Sequence, residues 1–203
     1  MIKYFKQHSF WWSVFNGLIP IIGLVFFQWS ILQIIFLLCY QSFLNGVFSC
    51  IAIIMSTGRV DNFLEGMIGR IFQAIGFALF YGLVLVMFIS FLIEVLDTHT
   101  LVDNFKGMGW SLQFVLLNYM IGFTLGFVLT KRFITSHPEK IMIYSSLLII
   151  PLLFILVLFM FIFPNMMTGT GSNTNLVITC GFIIAKTILD LVVTNYGEGK
   201  SAN

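Results

Sequence analysis

The chain has 203 residues, of which 59% are hydrophobic and 9% charged, with a formal net charge of +2 and a mean hydropathy of +1.02. Soluble domains carry about a quarter charged residues, so this composition cannot coat a water-soluble globule, and the small, dispersed charge excludes a nucleic-acid-binding surface. The expected class is all-α: an integral membrane bundle forming a single transmembrane domain over residues 1–203, with the lipid bilayer as its first partner.

A spanning helix needs about 20 mostly apolar residues, because each rises about 1.5 Å across a hydrocarbon core of about 30 Å. Apolar runs cover 10–27, 30–55, 71–96, 110–130, 141–163 and 175–195. They predict about six transmembrane helices and leave little chain for a domain outside the membrane. The first run follows Met1-Ile-Lys-Tyr-Phe-Lys6. This start is signal-like but lacks a small-residue cleavage site, so a retained first helix is expected. Only Gln28 and Trp29 separate the first two runs, which predicts a tight helical hairpin with Trp29 at the interface. Pro20 and Pro151 lie inside runs, where the missing amide and the ring predict kinks.

Between the second and third runs, Phe63, Leu64, Met67 and Ile68 share one helical face, with Asp61, Asn62 and Glu65 largely elsewhere. An amphipathic segment lying flat on the cytoplasmic surface is expected there. Residues 164–174 are rich in Gly, Ser, Thr and Asn and uncharged, as suits a connection.

Of the ten basic residues, six spans put Lys3, Lys6, Arg59, Arg70, Lys131, Arg132, Lys140 and Lys200 on one side. Lys106 falls on the other side and Lys186 inside the last helix. Cytoplasmic loops carry the excess of Lys and Arg, so both the N-terminus and the C-terminus are expected in the cytoplasm. With no sorting signal, the expected location is a bacterial inner membrane, crossed many times. No internal repeat supports an inverted-repeat transporter, although two halves of three helices remain arithmetically possible.

The residues that carry chemistry centre on the last run. Lys186 and Asp190 stand four apart on one helical face and can pair. A charge facing lipid at that depth costs at least a few kcal/mol, so both should point into the bundle or reach toward the cytoplasm. One reading is a proton, ion or substrate site; the other is a structural pair that fixes helix packing. Asn16 in the first run and Gln41, Ser42, Asn45 and Ser49 in the second can reach the same level. The candidate buried polar cluster is therefore Lys186, Asp190, Asn16, Gln41 and Asn45. Amides in such bundles usually act as interhelical contacts worth about 0.6 kcal/mol each.

Other motifs carry less. Glu94, Asp97, His99 and Asp103 gather at the outer end of the third run, but without HExxH-like spacing they read as a solvated helix end rather than a metal site. Cys39, Cys50 and Cys180 sit in apolar runs, where thiols behave as small hydrophobes, so neither disulfide nor zinc is expected. Gly122 and Gly126 form a GxxxG pair, and Gly181 with Ala185 a second small pair; such pairs let helices approach closely. Gly169-Thr-Gly171 lacks the strand and lysine of a phosphate loop. His8, His99 and His137 share no depth with a nucleophile. No catalytic, cofactor-binding or metal residue is expected, and no cofactor.

Asn16-Gly-Leu-Ile-Pro20-Ile-Ile-Gly23, followed by Trp29, and Lys186-Thr-Ile-Leu-Asp190 resemble an uncharacterised family of bacterial polytopic membrane proteins, known as a domain of unknown function. The resemblance spans most of the chain. It implies a Tyr-Trp-x-Glu-like element in the second helix, where this chain reads Leu38-Cys-Tyr-Gln41; an amide stands where the family has an acid, so Lys186 lacks that acidic partner. The family implies no reaction. The functional expectation is a non-enzymatic structural or accessory membrane component, with a membrane-protein partner or a second copy of itself. The alternative is a small transporter or channel built on Lys186 and Asp190.

Overall fold

The computed structural model describes residues 8–57, 63–95, 108–131 and 136–147, with positions 134, 149, 181, 183–188 and 191. Among the described residues every regular element is helical: α1 (His8–Phe26), α2 (Ile31–Met55), α3 (Phe63–Val95) and α4 (Gly109–Phe123). The last continues into a π-helical turn, Thr124–Val128. Residues 138–147 and 183–188 are helical too. Gln33–Met55, Gly66–Met87 and Gly109–Val128 are long and apolar enough to cross a membrane, and Val14–Phe26 is a shorter apolar helix. The fifth and sixth predicted runs fall mostly outside the described residues, as do Pro151 and the 164–174 connection.

The α1–α2 hairpin is built by local chemistry. Ser30 caps α2: its Oγ accepts from the Gln33 amide at 3.3 Å, while Gln33 Oε1 accepts from the Ser30 amide at 2.9 Å. This reciprocal box satisfies two donors that a helix start leaves open. Gln28 takes the left-handed conformation (φ 52°), which turns the chain, and the Trp29 amide returns to the Gly23 carbonyl at 3.1 Å. The indole then lies flat on Gly23, where a Cβ would come within 2.5 Å of Trp29 Cδ2. Only glycine leaves room for that ring.

α3 departs from the expectation of a surface segment followed by a span. It is one helix from Phe63 onward, and its 33 residues at about 1.5 Å each make it longer than the hydrocarbon core. Met67 and Ile68 are exposed on this continuous helix. Arg70, counted among the cytoplasmic basic residues, is buried between α3 and the end of α2, with its guanidinium bonded to backbone carbonyls. One of those carbonyls, Gly66, lies in α3 itself and the other, Ser56, at the end of α2, so the arginine links the two helices where they meet.

One stripe of α3 (Ala74, Phe77, Tyr81, Leu85) is buried with Ile53 of α2 and with Ile149. The opposite stripe (Phe72, Ile75, Leu79, Leu83, Val86) is exposed. Both stripes are apolar, and an exposed apolar stripe of this length suits a lipid or protein surround rather than water. Tyr81 fixes the pairing: its hydroxyl donates to the Ser42 carbonyl at 2.8 Å, and its ring fills the space left by Gly46.

Helix directions follow from such contacts. Ser42 meets Tyr81 and Ser56 meets Arg70, so α3 runs against α2. Asn118 reaches α1 at Asn16, itself bonded to Gln41, and Phe123 packs at a tilt against Phe48 with ring centroids 5.1 Å apart; α4 therefore runs along α2. Residues 137 and 145 approach Thr57 and Ser49 respectively, against α2. Ile183 packs on Ile34 and Leu38 while Lys186 meets Gln41, along α2.

Of the predicted small-residue pairs, Gly126 and Gly181 show no close approach among the described residues. A Cβ on Gly126 would meet nothing within 4 Å among the described residues, nor would one on Gly181. The close approaches are at Gly17, Gly23 and Gly46.

Candidate functional site

Pro20 has no amide hydrogen, so the carbonyl four residues earlier in α1, that of Asn16, loses its helical partner. Gln41 of α2 supplies a replacement, its Nε2 donating to the Asn16 carbonyl oxygen at 3.0 Å. The other end of the same amide, Oε1, accepts from Lys186 Nζ at 3.3 Å. Asn118 of α4 donates through Nδ2 to Asn16 Oδ1. One connected set of side chains thus ties α1, α2, α4 and the 183–188 helix together. Gln41, Asn118 and Lys186 are all buried. Asn16, Gln41 and Asn118 each fall near the middle of an apolar helix, where an unmade hydrogen bond is most costly.

Close packing of the backbones brings Lys186 into place. A Cβ on Gly17 would lie 2.6 Å from Thr187 Cγ2 and 2.9 Å from its Cβ. Gly17 and Thr187 are the chain neighbours of Asn16 and Lys186, so this contact sets the height at which the ammonium meets Gln41. The Thr187 hydroxyl is occupied by the Ile183 carbonyl at 2.8 Å. Below Thr187, Ile183 is sealed by Leu24, Ile34 and Leu38.

Of the five candidate residues, the structure brings Lys186, Gln41 and Asn16 together. Asn45 is half-buried one turn along α2, and among the described residues no hydrogen bond joins it to the others. Asp190 lies outside the described residues. Asn118 was missed. The signal for it was present, since it interrupts Leu116-Leu117-Asn118 deep in an apolar run, as Asn16 does in the first helix. The spacing of Asn16 and Pro20, four apart, also marks a carbonyl in need of a donor.

Further along α2, the Ser49 and Ser145 hydroxyls share a buried hydrogen bond of 2.6 Å. At the end of α2, the Ser56 carbonyl accepts from Arg70 Nη1. Beside it a cavity of about 280 Å³ opens, with Arg70, Gln73, His137 and Glu139 in its walls. Cys39 and Cys50 are free thiols; Cys180, the side chain of Glu94, and Asp97, His99, Asp103 and Gly169-Thr-Gly171 lie outside the described residues. Among the described residues no group of three His, Cys, Asp or Glu is placed to hold a metal.

Chemically, the described network contains one titratable group, Lys186; its other three members are amides. Amides orient and bridge, but they do not take up and release protons near neutral pH. No curated protein and no solved structure matches the chain. A family model described as a family of unknown function (DUF6498) matches residues 5–200, nearly the whole chain, and the protein therefore belongs to that family.

Proposed function

We propose that the chain is a non-enzymatic structural or accessory component of a bacterial inner membrane, with six spans in one domain and both termini in the cytoplasm. The reading rests on one observation: the polar groups at mid-helix bond to one another across four helices, as packing contacts do. A relay needs a succession of titratable groups along a wet path, whereas the amides of Asn16, Gln41 and Asn118 bridge helices without exchanging protons. The alternating helix directions and the segregation of Lys and Arg support six spans with termini on one side. A membrane-protein partner or a second copy of the chain is the natural ligand of such a component.

Topology is checked by placing single cysteines beside Lys3, Lys106 and Lys200 in a cysteine-free chain. Labelling from the cytoplasmic side only at the first and last positions is expected, and a periplasmic C-terminus overturns the six-span reading. The alternative, a transporter or channel using Lys186 and Asp190, is favoured by one feature, the burial of an ammonium among apolar helices. Proteoliposomes holding the full chain distinguish the two. Proton and potassium flux should stay at the level of empty vesicles; a flux that disappears in Lys186→Met establishes transport instead.

A further inference from the structure

The cavity beside the end of α2 is walled by a buried arginine that no carboxylate meets among the described residues. Arg70 is only 7% exposed. Its Nε donates to the Gly66 carbonyl at 2.9 Å and its Nη1 to the Ser56 carbonyl. A guanidinium has five N–H donors, so three remain, and both acceptors are neutral. Among the described residues Arg70 has no carboxylate partner. A desolvated cation with no countercharge is strongly unfavourable, and a guanidinium fork fits phosphate oxygens two at a time.

The surroundings narrow the choice of anion. The α3 wall is bare backbone at Gly66 and Gly69, and a Cβ on Gly69 would meet nothing within 4 Å among the described residues. The space of about 280 Å³ lies just under the range of about 300 Å³ and above that suits drug-sized ligands, and so suits a headgroup rather than a nucleotide. It sits where the candidate spans Gln33–Met55 and Gly66–Met87 meet at their ends, the place at which a spanning helix reaches the headgroup region. Glu139, exposed, also lines the cavity. A carboxylate there repels a simple anion and attracts an amine.

We propose that this cavity binds an amine-bearing phosphate ester, with the phosphate on Arg70 and the amine on Glu139, presented either by a zwitterionic lipid headgroup or by a soluble aminoalkyl phosphate. The proposal is independent of the choice between accessory and transport roles. Because Arg70 also holds the end of α2, the leading variant is Gly69→Leu, which fills the opening without touching either arginine bond.

The full chain in detergent is offered phosphatidylethanolamine, phosphatidylglycerol, soluble phosphoethanolamine or inorganic phosphate, and retention is read by native mass spectrometry. Phosphatidylethanolamine or phosphoethanolamine should be retained over phosphatidylglycerol and inorganic phosphate. Gly69→Leu and Arg70→Gln should each weaken retention about ten-fold, the scale of one lost charge-assisted hydrogen bond. Glu139→Gln should abolish the preference for the amine. Retention of the lipid alone assigns the ligand to the bilayer, and competition by phosphoethanolamine assigns it to solution; either supports the site. Equal retention of all four probes, or unchanged retention in Gly69→Leu at an unchanged unfolding temperature, overturns it.

Discussion

Gly17→Ala is expected to destabilise the protein by about 2–3 kcal/mol, the cost of forcing a methyl into a closed contact. The new Cβ would fall 2.9 Å from Thr187 Cβ, a separation real side chains do not adopt, and both atoms are fixed to helix backbones that cannot swing aside. The 183–188 helix must then move off α1, carrying Lys186 away from Gln41. Gly76→Ala and Gly82→Ala are the controls: a Cβ at either position meets nothing within 4 Å among the described residues. Each should be neutral or stabilising by up to about 1 kcal/mol through helix propensity. Thermal unfolding in detergent separates the outcomes. Equal midpoints for Gly17→Ala and the two controls would show that the close approach carries no energy.

Gln41→Leu should cost about 2–3 kcal/mol, well above the roughly 0.6 kcal/mol of an average hydrogen bond between membrane helices. The difference arises because two defects appear at once. The Asn16 carbonyl, already deprived of a helical donor by Pro20, loses its substitute, and a buried ammonium loses an acceptor. Asn118→Leu, which removes one donor from a side-chain oxygen, should cost about 1 kcal/mol or less. Adding Lys186→Met to Gln41→Leu should recover much of the loss, since the charge that needed the acceptor is gone. The double-mutant cycle decides the matter: strictly additive effects would mean that Lys186 and Gln41 are not coupled, and the packing role assigned to the network would fall with them.

These effects show which parts of the site were legible in the chain. A polar residue inside a long apolar run must find a partner or be excluded from the membrane, so Asn16, Gln41 and Lys186 stood out by composition. Asn118 carried the same signal without being singled out. The partner each one takes depends on helix heights set by Gly17 against Thr187 and by Trp29 against Gly23. The second is local to the hairpin, but the first joins residues at opposite ends of the chain, and no local pattern encodes it. The burial of Arg70 was not legible for a related reason: the Gly66 carbonyl lies in its own helix, but the Ser56 carbonyl belongs to the end of α2, and that pairing exists only once α2 and α3 are packed.

The apolar runs by themselves determined a helical membrane protein, and Ser30 with Gln33 determined where α2 begins, because hydropathy and capping act over a few neighbouring residues. Only the tertiary structure decided which side of each helix is interior. On α3, Phe77 and Leu85 are buried while Phe72 and Leu79 are exposed, although each pair consists of the same two residue types. In water an apolar stripe marks the core, since the other face must be wet. In a bilayer the surround is as apolar as the core, so the buried face is chosen by shape, by glycines that admit a neighbour, and by the few polar groups that must meet.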